Sequence, residues 1–220
     1  MRGTNAYPEP APIRMVFLIQ RDTVIFDLGG VLLDWNPRHL YRQLFAADEA
    51  AMEHFLTTVC TQTWNEGQDA GRTFTEAAAL LCEQHPQHRD LIEAYGTRFD
   101  EMMKGPIEGS VTILETLHRR GVPLYALSNW SHETFPPARR RFEFLQLFRG
   151  IVISGEVGVI KPDPRIFQIL LERHRIEPKE AVYIDDNPRN AEAARALGIH
   201  GIHFSDPESL RRELEDLRLL

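Results

Sequence analysis

Five short apolar runs, set apart by segments with helical periodicity, restrict this chain to an alternating α/β architecture. They are Thr23 to Asp27, Leu124 to Leu127, Ile151 to Ile153, Val182 to Ile184 and Ile202 to Phe204. Strands that alternate with helices form a parallel sheet joined by right-handed crossovers. The first run ends in Asp-Leu-Gly-Gly, where the glycines permit a tight turn, so it reads as a buried strand leading into a loop. Helix starts are marked by Asn36-Pro37, Asp163-Pro164, Asn187-Pro188 and Asp206-Pro207, each a capping side chain before a proline suited to the first helical position. Apolar residues then repeat at helical spacing, as in Leu40 and Leu44, Ile166 and Leu170, and Leu210, Leu214 and Leu217. Gly121 and Gly198 sit where helices should stop.

The alternation breaks between Asn36 and Lys104, a stretch of helical patterns without a clear strand. It reads as a helical insert placed directly after the first strand. Hydrophobic residues at 43% and charged residues at 26% are ordinary for a globular protein, and 220 residues suffice for one domain carrying a modest insert. A net charge of −7 gives no electrostatic footprint for nucleic acid or an anionic membrane, and the basic run Arg139 to Arg141 reads as a solvated helix face. Met15 to Ile19 falls far short of the roughly 20 apolar residues of a spanning helix. The first 14 residues, with three prolines, read as a loose extension, and Met15 is a plausible natural start. Cys60 and Cys82 show no zinc spacing and read as buried or idle thiols, which suits a reducing, cytoplasmic setting. A monomer and a homodimer are equally compatible with the sequence.

Four groups lie at or just beyond the ends of the expected strands: Asp27, Ser128 with Asn129, Lys161, and Asp185 with Asp186. In an open α/β sheet the carboxyl ends of the strands form the ligand crevice, so these groups should converge. Three acids and a lysine make chemical sense together if a divalent cation bridges carboxylates and a phosphate. Mg²⁺ takes oxygen ligands and commonly one or two carboxylates plus substrate phosphate, which suits Asp27 and Asp186. An aspartate can also attack phosphorus and form an acyl phosphate that water then hydrolyses. Lys161 would add positive charge, while the Ser128 hydroxyl and the backbone N–H groups after it would hold phosphate oxygens.

The segments Val-Ile-Phe-Asp-Leu-Gly-Gly-Val-Leu, Ala-Leu-Ser-Asn, Ile-Lys-Pro-Asp-Pro-Arg-Ile-Phe and Val-Tyr-Ile-Asp-Asp-Asn-Pro-Arg-Asn occur in that order. In order and spacing they resemble the haloacid dehalogenase (HAD) superfamily, and the resemblance covers nearly everything after residue 22. It implies a Rossmann-like parallel sheet flanked by helices, with a small α-helical cap domain. The corresponding division is an N-terminal extension over 1–20, a core over 21–35 and 105–220, and a cap over 36–104. It further implies Asp27 as nucleophile, Ser128 as phosphate ligand, Lys161 as charge stabiliser, and Asp186 as Mg²⁺ ligand with Asp185 beside it. The backbone carbonyl of Gly29 would be another metal ligand. The implied activity is Mg²⁺-dependent hydrolysis of a small phosphorylated metabolite, with sugar phosphates the first guess.

One departure stands out, because phosphatases of this family usually carry a second Asp two residues after the nucleophile, as general acid and base. Here that position is Gly29. A cap residue or water would have to move the proton, and His132 is one candidate. Two other readings compete. A 2-haloacid dehalogenase would also use Asp27, yet such enzymes need no metal, and Asp185 and Asp186 would repel an anionic substrate. A degenerate member that only binds a phosphorylated ligand would explain Gly29 but not the intact Asp27, Lys161 and Asp186. Asn129, Trp35 and Trp64 are candidates for substrate contact, although aromatic residues of a small helical insert also form its core. Asn190 would either orient the acidic loop or face solvent.

Overall fold

A computed structural model describes residues 21–220, so the extension over 1–20 and the alternative start at Met15 lie outside the described residues. Strand β1 (Thr23–Phe26) is followed by a short strand β2 (Leu33–Trp35) and helices α1 (Arg38–Leu44), α2 (Glu49–Thr58), α3 (Gln62–Asp69), α4 (Phe74–Gln84) and α5 (Arg89–Thr97). The chain returns along β3 (Met103–Pro106), antiparallel to β2, and enters α6 (Glu108–Arg119). It continues through β4 (Leu124–Ser128), α7 (Phe135–Arg141), β5 (Gly150–Ile153), α8 (Ser154–Val157) and α9 (Pro164–His174). The last elements are β6 (Ala181–Asp185), α10 (Pro188–Ala196), β7 (His200–His203) and α11 (Pro207–Asp216).

Five strands make one parallel sheet in the order β5-β4-β1-β6-β7. Successive side chains on a strand point to opposite faces, and here both faces are covered. Val24 and Phe26 of β1, with Ala126 of β4 and Ile184 of β6, pack towards Leu114 of α6 and Leu214 of α11. Ile25, Leu127 and Tyr183 point the other way and join Ile166, Phe167 and Leu170 of α9 and Ala194 of α10. Burial on both faces is why these strands read as continuous apolar runs. The chain fills the β4 and β5 side first and then crosses to β6, so the strand order reverses at β1. The crevice beyond the carboxyl ends of β1, β4 and β6 is therefore where the fold leaves room for a ligand.

Helices α1 to α5 all fall between β2 and β3 and carry their own aromatic cluster. Tyr41, Phe55, Phe74, Tyr95 and Phe99 are buried there and connect to the rest of the core through Phe99 against Trp130, with ring centroids 6.3 Å apart. Two contacts seat this helical layer beside the sheet. Glu133, in the loop after β4, accepts a hydrogen bond from the backbone N–H of Phe74 at 2.6 Å. Gly71, at φ +106°, lies so near the Gly155 carbonyl that an added Cβ would come within 3.4 Å of it.

Elsewhere the sequence reading is adjusted in detail. The pair β2 and β3 was not expected, because three- and four-residue strands containing Gly105 and Pro106 carry little strand signal. The last strand begins at His200, two residues before the expected apolar run, and ends at His203, one residue short of it. Pairing with β6 recruits His200 and Gly201 regardless of their weak propensity. Asp163, Asn187 and Asp206 cap their helices as expected, whereas α1 starts at Arg38, one residue after Pro37, with the Asn36 side chain accepting from the Arg38 N–H. Arg139, Arg140 and Arg141 are exposed, and Cys60 and Cys82 are buried free thiols. No helix among the described residues is long and apolar enough to cross a membrane.

Gly201 lets β7 and α10 approach closely, since a Cβ there would sit 2.3 Å from the Ala191 carbonyl oxygen. Gly201→Ala must therefore push strand and helix apart, and overpacking of this kind costs about 1–3 kcal/mol. Urea unfolding should show that loss; a midpoint within experimental error of the parent would contradict the packing described.

Candidate active site

Each strand around the crevice ends on a polar residue that the apolar run before it holds in place. Asp27 follows β1, Ser128 closes β4 and Asp185 closes β6, while Lys161 comes from the loop between α8 and α9. The structure brings all four together. Asp27 Oδ1 accepts from the Leu28 N–H at 2.7 Å, the Ser128 hydroxyl at 2.9 Å and the Lys161 ammonium at 2.9 Å. Three donors thus hold one carboxylate oxygen, and among the described residues Oδ2 receives no donor. One oxygen fixes the side chain and the other is left for chemistry.

Lys161 is almost fully buried, and its ammonium donates to Asp27 Oδ1, to Asp185 Oδ2 at 2.7 Å and to the Leu127 carbonyl at 3.0 Å. All three of its N–H groups are used, so it acts on the cleft as a fixed charge. Asn129, a candidate for substrate contact, lines the cleft and is held through its amide by Lys161. Asn129 Nδ2 donates to the Lys161 carbonyl at 3.1 Å, and Oδ1 accepts from the Lys161 N–H at 2.8 Å. The Trp130 N–H, one of the backbone groups expected to hold phosphate, instead donates to Ser154 Oγ at 3.0 Å.

The two adjacent acids behave differently. Asp185 has no exposed surface and accepts from Lys161, the Tyr183 hydroxyl, the Asn187 N–H at 2.8 Å and Asn190 Nδ2 at 3.0 and 3.1 Å. It anchors the loop, and Asn190 orients it. Asp186 is exposed at the cleft and receives no side-chain donor among the described residues, while its carbonyl meets His203 Nε2 at 3.0 Å. Gly30 makes room for it: at φ +75°, a Cβ there would lie 2.2 Å from Asp186 Oδ2. Carboxylate oxygens of Asp27, Asp185 and Asp186 all lie within 4.8 Å of one another. Burial pushes the Asp27 carboxyl up against the pull of Lys161, and burial with the neighbouring Asp185 raises Asp186. Three carboxylates against one ammonium leave a formal charge of −2, which a divalent cation would match, and Asp27 and Asp186 offer it oxygen ligands.

These groups floor a cleft of about 390 Å³, within the range of small-molecule sites. Its remaining lining includes Trp35 at the end of β2, Arg38 of α1, Gln62, Asn65 and Asp69 of α3, and Phe99 shortly before β3. Trp35 lines the cleft stacked on Phe99 at 6.2 Å, whereas Trp64 does not line it and packs edge-on to Tyr95 at 5.1 Å. His132 does not line it either. Asn65 and Asp69 escaped the sequence reading. Their spacing of four residues puts them on one face of α3, but a largely polar helix reads as solvated until its neighbours are known.

A family model described as haloacid dehalogenase-like hydrolase matches residues 21–198. The chain is 28% identical over 211 residues to acyl-CoA dehydrogenase family member 10 of Mus musculus, covering 88% of this chain but 19% of that protein. It is 26% identical over 193 residues to the sesquiterpene phosphatase astK of Aspergillus oryzae, covering 88% of this chain and 94% of that one. Its fold is similar to that of a HAD family enzyme from Bacteroides thetaiotaomicron, with a TM-score of 0.67, 21% identity, and coverage of 88% of this chain and 98% of the other. Another structure of that enzyme, a complex with magnesium and inorganic phosphate, gives a TM-score of 0.63 at 23% identity and covers 84% and 95% of the two chains. By the extent of the family match, reinforced by a shared fold, the chain belongs to the haloacid dehalogenase-like hydrolases.

Proposed function

We propose that this hydrolase is a Mg²⁺-dependent phosphatase of small phosphorylated metabolites, sugar phosphates first among them, working through an aspartyl phosphate on Asp27. The observation that carries this reading is the division of labour at Asp27, a member of the carboxylate cluster with Asp186, with Oδ1 held by three donors and Oδ2 left without one among the described residues. A nucleophile needs that arrangement, because its reacting oxygen must be fixed in direction yet unencumbered. Phosphatase activity in a relative similar over most of both chains, and magnesium with phosphate in a fold neighbour, support the same choice.

In this scheme Asp27, Asp186 and the backbone carbonyl of Gly29 would hold the ion. Mg²⁺ would offset the repulsion between the nucleophile and a phosphate dianion and polarise the phosphoryl oxygens. Asp27 Oδ2 attacks phosphorus, the ester oxygen departs on the opposite side, and water then cleaves the acyl phosphate. Lys161 opposes the burial that favours the protonated form of Asp27 and holds Asp185, while Ser128 fixes the orientation of Oδ1. Asp185 and Asn190 set the loop that presents Asp186. The helical layer, acting as a cap domain over roughly residues 36–104, closes the crevice against large ligands and excludes water. A cleft of about 390 Å³ suits a small metabolite. The unbalanced carboxylates would repel a haloacid, which favours the phosphatase reading over dehalogenation. The buried free thiols Cys60 and Cys82 accord with a reducing, cytoplasmic setting.

The direct test is phosphate release from para-nitrophenyl phosphate and a panel of sugar phosphates, with Mg²⁺ and with EDTA. Release that EDTA abolishes is expected, and none under either condition would overturn the proposal. Asp27→Asn should remove turnover, so residual activity above a few per cent of the parent would contradict covalent catalysis. Asp186→Ala should lower the rate and raise the Mg²⁺ concentration needed for half-maximal activity; an unchanged Mg²⁺ titration would remove Asp186 from the ligand set. Gly29 lacks a positive φ, and a Cβ there meets nothing nearer than Trp35 Cβ at 3.9 Å, so Gly29→Asp fits. It should raise turnover of alkyl phosphates more than of aryl phosphates, and equal effects on both would show that leaving-group protonation does not limit the reaction.

A further inference from the structure

Phosphoryl transfer places the attacking and leaving oxygens roughly in line, so the leaving group departs on the side away from Asp27. Beyond the floor groups, this cleft is lined largely by the helical layer. Its wall carries one carboxyl among the described lining residues, Asp69 at the C-terminal end of α3; the other two lining acids, Asp27 and Asp186, belong to the floor. No histidine lines the cleft among the described residues.

We infer that Asp69 is the general acid and base of this enzyme, protonating the leaving oxygen from the helical wall in place of the carboxyl that Gly29 lacks. The inference rests on the phosphatase reading and adds a residue to it. Asp69 is 8% exposed, and its Oδ2 accepts from Asn65 Nδ2 at 3.0 Å. Asn65 is itself 3% exposed and lines the cleft, and its Oδ1 has no partner among the described residues. A buried amide oxygen left unpaired beside a carboxyl, both on the cleft wall, is a costly arrangement in isolation. It becomes satisfied when a donor such as a substrate hydroxyl enters.

Four groups act on Asp69: Asn65 and Glu66 on its own helix, Tyr95 from α5, and Lys161 from the loop before α9. Burial and Glu66 raise its carboxyl against the pull of Lys161, to about 7, so both protonation states are accessible near neutral pH. Its height over the floor is set by contacts outside the cleft. The turn just after Asp69 rests on Gly155, where an added Cβ would come within 2.6 Å of the His132 N–H nitrogen and 2.8 Å of the Trp130 carbonyl. The Phe74 N–H bond to Glu133 fixes the same turn from its other end. The loop that begins at Ser128 therefore also positions Asp69.

The step balances as follows. As Asp27 Oδ2 bonds to phosphorus and the phosphorus–ester bond breaks, the Asp69 carboxyl gives its proton to the departing oxygen, leaving a neutral alcohol and an Asp69 carboxylate. Water then attacks the phosphorus of the aspartyl phosphate and passes a proton to Asp69. The Asp27–phosphorus bond breaks, inorganic phosphate leaves, and both side chains return to their starting states.

The test compares parent and Asp69→Asn, an isosteric change, on an alkyl phosphate and on para-nitrophenyl phosphate with Mg²⁺, following the first turnover and the steady state. With the alkyl ester, kcat should fall by about 10²- to 10⁴-fold, the usual worth of proton transfer. With para-nitrophenyl phosphate, whose leaving group needs no proton, the first turnover should keep the parent rate, seen as a burst of one nitrophenolate per enzyme. Slow steady turnover should follow. Gly29→Asp introduced into Asp69→Asn should restore alkyl turnover. Parent-like kcat on the alkyl ester, an equal slowing of the first turnover on both esters, or a change confined to KM would overturn the assignment and leave the phosphatase reading intact. A parent inert on both esters would overturn the proposed function and this inference with it.

Discussion

The ammonium of Lys161, buried among two carboxylates and a carbonyl, is the interaction on which the rest of the site depends. It comes from a loop on the β5 side of the sheet and ties the end of β1 through Asp27, the end of β4 through Leu127, and the end of β6 through Asp185. The sheet ladders bring these three strand ends level, and the ammonium joins their polar groups into one site. Removing one partner of a buried charge pair typically costs about 3–5 kcal/mol, because the other is left uncompensated. Asn129 completes the arrangement by gripping the Lys161 backbone with both ends of its amide.

A second consequence is a division between acids that hold and acids that act. Asp185 is saturated with donors, whereas Asp186, one residue later, is free because Gly30 gives way to it. Asp27 combines both characters in one side chain, with a pinned oxygen and a free one. In α3, Asn65 holds Asp69 in a similar way. The cleft thus combines a charged, tightly bonded floor with a helical lining whose one carboxyl among the described residues, Asp69, is pushed up by burial, a polarity that suits an anionic group at the floor and a hydroxylated group at the helical layer.

Much of this was legible from the sequence for a physical reason. Asp27, Ser128 and Asp185 end runs whose continuous hydrophobicity reflects burial on both sheet faces, and strand ends in such a sheet converge. The capping of Asp163, Asn187 and Asp206 was equally local and equally readable. What escaped depends on distant partners. Gly105 and Pro106 form a strand only because β2 lies opposite, and His200 joins β7 because β6 supplies the ladder. Trp64 and Trp35 are equal candidates for substrate contact by sequence, and only packing decides that one turns into the aromatic cluster and the other into the cleft. Asp69 sits in a polar helix that packs against α4 and the sequence-distant α8, so nothing in its own neighbours announces it.

The most direct measurement of the account is to quench the enzyme in acid during turnover of a phosphate ester with Mg²⁺, digest it, and locate any phosphoryl group by mass spectrometry. The account predicts a labile phosphoryl group on the peptide containing Asp27, absent when EDTA is present. Vigorous turnover with Asp27 unmodified, or with the phosphoryl group on another residue, would contradict it.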